Sequence, residues 1–205
     1  MRYLLFISCL FIFLSCTSLY KGLQKNSTDI SCLQKFVPSF SSALYNAHID
    51  VAGKHLSGLL IIKKMPDSST RMVFSSETGF TFFDFEFSKE GNFKVYSIIK
   101  QMDKKPVIKT LRKDFELVLM QHLQNKKTYT LTDKTQMYIA FPQTKGYYYY
   151  ITDFLCEQLI EMERASKSKV VVEAIMQNYK NGMPDTIGIS HKNFNFDIGL
   201  KRIER

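Results

Sequence analysis

The chain of 205 residues has no tryptophan, only five prolines and nine glycines, and four cysteines. So little glycine and proline excludes collagen-like and low-complexity architectures. An apolar share of 45% against 23% charge excludes a disordered chain and suits one domain with a good core. No cysteine pair stands in CxxC spacing, and none of the histidines (48, 55, 122, 191) stands in HExxH or a similar metal spacing. GxSxG, the P-loop and GxGxxG are missing as well, which removes the usual signatures of hydrolases, nucleotide hydrolases and dinucleotide enzymes. The net charge of +9 comes without a basic block: lysine pairs are scattered at 63–64, 104–105 and 126–127. Such scatter describes a solvated surface, with anionic head groups or an acidic partner as its natural attractors. There is also no apolar run long enough to span a bilayer. The run from Leu4 to Leu14 covers about eleven residues, where a spanning helix needs ~20.

What that run does have is the form of an export signal: one early positive charge, Arg2, followed by a short apolar core. At its end, Phe13-Leu14-Ser15-Cys16 resembles the lipobox of bacterial lipoproteins, although Phe13 stands where leucine is usual. An ordinary signal-peptidase site using Ser15 and Thr17, or Cys16 and Ser18, is the competing cut. The expected organisation is a lipoprotein signal over 1–15, a lipidated polar tether over 16–35 attached through Cys16, and one domain over 36–205. Two acyl chains on Cys16 give stable anchoring where one is marginal. Surface-exported lipoproteins of Bacteroidetes carry an early acidic cluster; here Thr17 and Ser18 follow Cys16 instead, which by analogy implies a periplasm-facing protein. Export argues against nucleic acid as a partner. Cys9 leaves with the signal, so Cys32 and Cys156 remain, either as a disulfide tying tether to body or as two buried thiols.

Strand signals dominate the rest. SALYNAHIDVAG (42–53), HLSGLLIIKK (55–64), TRMVFSSE (70–77), GFTFFDFEF (79–87) and FKVYSIIKQM (93–102) follow each other through short turns, an antiparallel meander of about five strands. In the fourth, alternation places Phe83, Phe85 and Phe87 on one face and Phe80, Phe82, Asp84 and Glu86 on the other. The period then changes. Val107, Ile108, Leu111, Phe115, Val118, Leu119 and Leu123 recur at helical spacing behind Pro106, predicting one amphipathic helix of roughly eighteen residues. Seven further strand-like segments follow. The fold class is therefore mainly β (α+β): a curved antiparallel sheet or incomplete β-barrel of about 10–12 strands with an amphipathic helix as lid.

The ordered features Ser57–Lys63, Arg71–Phe74 and Gly79–Phe85, with the helix after the fifth strand and the lipobox, resemble the Lol-type outer-membrane lipoprotein carrier and receptor family. Possession of Cys16 makes the likeness closer to the anchored receptor branch. The resemblance implies an incomplete barrel whose apolar interior accepts acyl chains of lipids or lipoproteins, lined here by Leu60, Ile62, Phe83, Phe85, Phe87, Phe115 and Leu119. It also implies partners at the outer membrane: the bilayer through the N-terminal lipid, and a periplasmic carrier or envelope complex. No cofactor, metal or catalysis is expected. An ordinary dry core, in an accessory lipoprotein that docks a partner, accounts for the same residues. Asp84 and Glu86, about 7 Å apart along one strand face, have glycosidase-like spacing, but one such pair without a cleft is weak support for that chemistry.

Overall fold

The computed structural model describes residues 19–26, 29–51, 53–124 and 127–204. The signal segment and Cys16, with the cleavage and lipidation expected there, lie outside them. The strands are β1 (Gln24–Asn26), β2 (Ser42–Val51), β3 (Lys54–Lys64), β4 (Thr70–Ser75), β5 (Thr81–Phe87) and β6 (Phe93–Ile98). After the helix α1 (Lys105–Val118) come β7 (Tyr129–Thr132), β8 (Gln136–Pro142), β9 (Tyr147–Asp153), β10 (Leu159–Ala165), β11 (Val170–Gln177), β12 (Thr186–His191) and β13 (Phe196–Arg202).

Among the described residues, thirteen strands form one antiparallel sheet in the order β1-β7-β8-β9-β10-β11-β12-β13-β2-β3-β4-β5-β6. The two meanders are arms of one surface, joined where β13 pairs with β2. The sheet curves without closing, with β1 and β6 at its free edges. Alternation drives this layout: β2 buries Ala43, Tyr45, Ala47, Ile49 and Val51, and β5 buries Phe83, Phe85 and Phe87, on the concave side. Close strand approach requires Gly58, where a Cβ would stand 2.0 Å from the Ser75 carbonyl oxygen.

The helix lies against the concave face and buries Leu111, Phe115, Leu117 and Val118. It is shorter than the periodicity predicts, 14 residues instead of about eighteen. Met120 adopts a left-handed backbone (φ 51°), which ends the helix, and Gln121–Gln124 continue as a 3-10 turn. Among the described residues no helix is long and apolar enough to cross a bilayer.

Two local expectations change. The alternation of GFTFFDFEF is interrupted by a bulge: Phe74 pairs with Phe83 but Ser75 with Thr81, leaving Phe82 without a partner on β4. Phe82 thereby leaves the outer, acidic face and packs on Phe74, ring centroids 4.7 Å apart. The segment expected as a polar tether is also folded onto the body. Gln24–Asn26 pairs with β7, Leu33 is buried in a 3-10 turn, and Tyr20 lies on the convex face of β8–β10. Cys32 and Cys156 are joined by a disulfide with Cα atoms 6.2 Å apart, fixing that segment to the β9–β10 loop.

Candidate functional site

The seven residues expected to line an acyl cavity are packed against each other and against the helix. Leu60, Ile62, Phe83, Phe85 and Phe115 are fully buried, Phe87 is 1% exposed and Leu119 9%. Phe83 stacks on Phe85 at 4.4 Å, and Phe115 of α1 meets Phe83 at 5.9 Å and Phe87 at 6.5 Å. Phe93 closes the group against Phe85 and Phe87. Phe87 and Leu119 also wall a cleft of about 350 Å³ beneath the β3–β4 and β5–β6 turns. Around Leu60, Ile62, Phe83, Phe85 and Phe115 the interior is filled.

Open apolar volume lies at the other end of the same strands. A cleft of about 550 Å³ runs between the β2–β3 hairpin, the start of β5 and the segment leading into α1. Its floor is Val51, Leu56, Phe82, Ile99, Met102 and Val107, with Lys54, His55 and Lys104 around it. Phe80, 59% exposed, stands edge-on to Phe82 at 5.7 Å. The bulge creates this floor by bringing Phe82 inward. The signal available in the sequence is that the outer face of the fourth strand is apolar at Phe80 and Phe82 before it becomes acidic at Asp84 and Glu86. A cleft of similar volume near the chain's C-terminal end is polar, walled by Lys180, Arg202 and Glu204.

Sequence reasoning missed the ionic seam under the helix. Asp114 of α1 is 1% exposed, and its carboxylate meets Nε2 of the fully buried His191 side chain at 2.8 Å. The Arg164 guanidinium stands 3.6 Å from the other carboxylate oxygen. Burial pushes the Asp114 carboxyl upward, while the His191 hydrogen bond and the Arg164 charge pull it back. Beside the seam, His122 stacks on Tyr148 at 3.9 Å, and burial pushes its imidazole down to about 4, with Lys113 and Arg112 adding to the effect. The pattern held a clue: Asp114 sits three residues after Leu111 and four before Val118, on the buried stripe. So deeply enclosed, the Asp114–His191 pair clamps the helix to β12 and has no access to a substrate.

The carboxylates with glycosidase-like spacing are both engaged. Asp84 accepts two hydrogen bonds from Arg71, at 2.9 and 2.7 Å, and Glu86 accepts one from Tyr96 at 3.2 Å. His48 and His55 face each other across the hairpin, 6.5 Å apart, with His55 paired to Asp50. Among the described residues no group of three or more histidine, cysteine or acidic side chains could hold a metal ion.

Among solved structures, the chain is similar to a LolA superfamily protein from Nitrosomonas europaea, with TM-score 0.51 and 8% identity over 87% of this chain and 93% of that one. The fold is Lol-like. A DUF1329 family protein from Desulfovibrio piger matches more loosely, with TM-score 0.42 and 10% identity over 84% of this chain and 88% of that one. So does a domain from Vibrio parahaemolyticus described as an outer membrane lipoprotein-sorting protein, with TM-score 0.44 and 7% identity over 83% and 87%. No family model and no curated protein matches the chain.

Proposed function

We propose that this is an envelope lipoprotein, anchored through Cys16 at the outer membrane and facing the periplasm, that binds an acyl chain of a lipid or lipoprotein without catalysing a reaction. The observation that carries the reading is the apolar cleft of about 550 Å³ floored by Leu56, Phe82, Ile99 and Val107. Its volume is in the range of small-molecule sites, and it is lined as such sites are, by apolar side chains with a few polar groups at the mouth. Each buried methylene contributes about 0.8 kcal/mol, so a chain lying along this floor is captured with no chemistry. The Lol-like fold adds support through its neighbour, a LolA superfamily protein. The binding place differs from the one implied by the resemblance: the cleft mouth, not the filled phenylalanine interior.

Native mass spectrometry of the mature protein purified without detergent tests this. Co-purifying phospholipid or acylated peptide is expected, and it is lost in Phe82→Asp and Phe80→Asp variants that keep the wild-type circular dichroism. A clean ligand-free mass, unchanged after lipid is offered, overturns the reading. The filled core around Phe83, Phe85 and Phe115 then favours the alternative, an accessory lipoprotein that docks an envelope partner.

A further inference from the structure

The turns of the sheet fall at two ends, and the two ends differ in charge. At one end the connections 76–80, 99–104, 143–146, 166–169 and 192–195 carry Lys100, Lys104, Lys145, Lys167, Lys169 and Lys192 against two acids, Glu77 and Asp103. At the other, connections 65–69, 88–92, 133–135, 154–158 and 178–185 carry five acids and only Lys89, Lys134 and Lys180. Antiparallel pairing fixes which turns share an end: Tyr147 pairs with Ala165, Val172 with His191, and Phe196 with Val51.

The N-terminal segment arrives at the lysine-rich end. The Leu19 amide donates to the Lys167 carbonyl at 2.8 Å, in the β10–β11 turn. Tyr20 is then held by Tyr138, Tyr149 and a hydrogen bond to Glu163. Three peptide units separate Leu19 from Cys16, a reach of at most about 11 Å. Lys145, Lys167 and Lys169 are exposed here, and the apolar cleft opens at this end too, beside Lys54 and Lys104.

We infer that the end of the sheet bearing Lys145, Lys167 and Lys169 is a membrane-apposed face that binds the phosphates of anionic lipid head groups. The anchoring part of this inference rests on the lipidation of Cys16 proposed above; the lysine face stands on charge and placement alone. The short reach from Cys16 keeps Leu19, and with it the β10–β11 turn to which it is bonded, close to the bilayer. Lysines near an anionic surface each strengthen attachment by about fivefold, an effect confined to roughly a Debye length. The arrangement also sets the cleft mouth at the surface that supplies its acyl chain.

Two measurements test the face separately from the anchor. In the first, the mature chain carrying Cys16→Ser is titrated with vesicles of phosphatidylcholine containing phosphatidylglycerol. The triple variant Lys145→Glu, Lys167→Glu, Lys169→Glu is expected to bind about a hundredfold more weakly, at about fivefold per lysine. The control Lys64→Glu, Lys89→Glu, Lys134→Glu has the same net charge and is expected to bind almost as wild type. Equal weakening by both triples overturns the proposal, because net charge then explains everything. Absence of vesicle binding also overturns it, and would turn attention to an acidic protein as the partner. In the second measurement, the native protein in the same vesicles is treated with a water-soluble lysine-acetylating reagent, and each site is read by peptide mass. Lys145, Lys167 and Lys169 are expected to be shielded relative to Lys64, Lys89 and Lys134, and uniform labelling overturns the inference. The intact mass reports acylation of Cys16 independently; an unmodified Cys16 sinks the anchor while the vesicle titration still decides the lysine face.

Discussion

Strands β5 and β9 are both aromatic, yet they are buried in different ways. In β5 one face is packed and the other is wet: Phe83, Phe85 and Phe87 point inward, while Asp84 and Glu86 pair with Arg71 and Tyr96 outside. In β9 both faces are covered. Tyr148 and Tyr150 face the concave core, and Tyr149 and Ile151, at 2% and 4% exposed, form a second small cluster on the convex side. The cover for that side is the N-terminal segment, whose Tyr20 ring lies 4.5 Å from Tyr138 and 5.0 Å from Tyr149. One wall is thus made by its own alternation, and the other is completed by chain from more than a hundred residues away.

The largest effect is expected on the self-sufficient wall. Phe85→Ala removes a fully buried ring stacked on Phe83 and packed on Phe93. The loss is expected to be about 3–5 kcal/mol, read as a shift of the denaturation midpoint at constant slope. A cost below about 1 kcal/mol would mean that the interior collapses around the gap, or that it was already hollow.

Next comes the attachment of the covering segment. Replacing Cys32 and Cys156 together by alanine opens a covalent link spanning a sequence separation of 124 residues. The chain-entropy ceiling for such a loop is about 5 kcal/mol, and native bridges typically deliver about 2–5. Hydrogen exchange should locate the loss: amides of β1, β7 and the convex side of β9 open first, while β5 keeps its protection. Uniform loosening of both walls would refute the distinction between them.

This contrast also explains what was legible in the sequence. The β5 wall could be read because its partner residues are within one strand and a helix stripe, where periods of two and 3.6 report the packed face directly. The strand-rich class, the position of the helix and the phenylalanine face all followed from that. Tyr147–Tyr150 carried no such contrast, since a strand covered on both sides shows no polar face. Residues 19–35 looked like a tether because their apolar residues, Tyr20, Ile30 and Leu33 among them, are too sparse to show a period and pack one by one. The bulge at Phe82 is set by how β4 and β5 pair, and the apolar cleft depends on it. Asp114 was hidden for another reason: an acid on an apolar stripe is ordinarily a sign that the stripe ends, and here it is answered by His191 and Arg164 from distant strands.

Where the helix end meets the tyrosine wall, pH provides a probe. The His122 imidazole, pushed down to about 4 from 6.5, remains neutral in the fold over a range where the unfolded chain is protonated. Because the folded value is the lower one, its contribution is fully present above pH 6.5 and is lost as pH falls towards 4. The loss amounts to about 3 kcal/mol at most. His122→Phe preserves a ring against Tyr148 and is expected to flatten this part of the stability profile between pH 6.5 and 4, measured by urea unfolding at several pH values. An unchanged slope would place His122 in solvent and detach the helix end from the wall.

The smallest effect tests whether the covering segment is bonded or merely laid on. Tyr20 donates from its hydroxyl to Glu163 at 2.6 Å, and Tyr20→Phe deletes that donor while keeping the ring against Tyr138 and Tyr149. Burial raises the Glu163 carboxyl, and the Tyr20 bond is the main influence lowering it. Without the hydroxyl the carboxyl rises further, so the ionised form in the fold loses support. The variant is expected to cost about 1 kcal/mol at neutral pH. The deficit should shrink as pH falls through the Glu163 titration, because a protonated carboxyl no longer needs the donor. A deficit independent of pH would assign the segment's hold to ring packing alone, making the cover of β9 an aromatic contact with no share in the charge that β10 carries at Glu163.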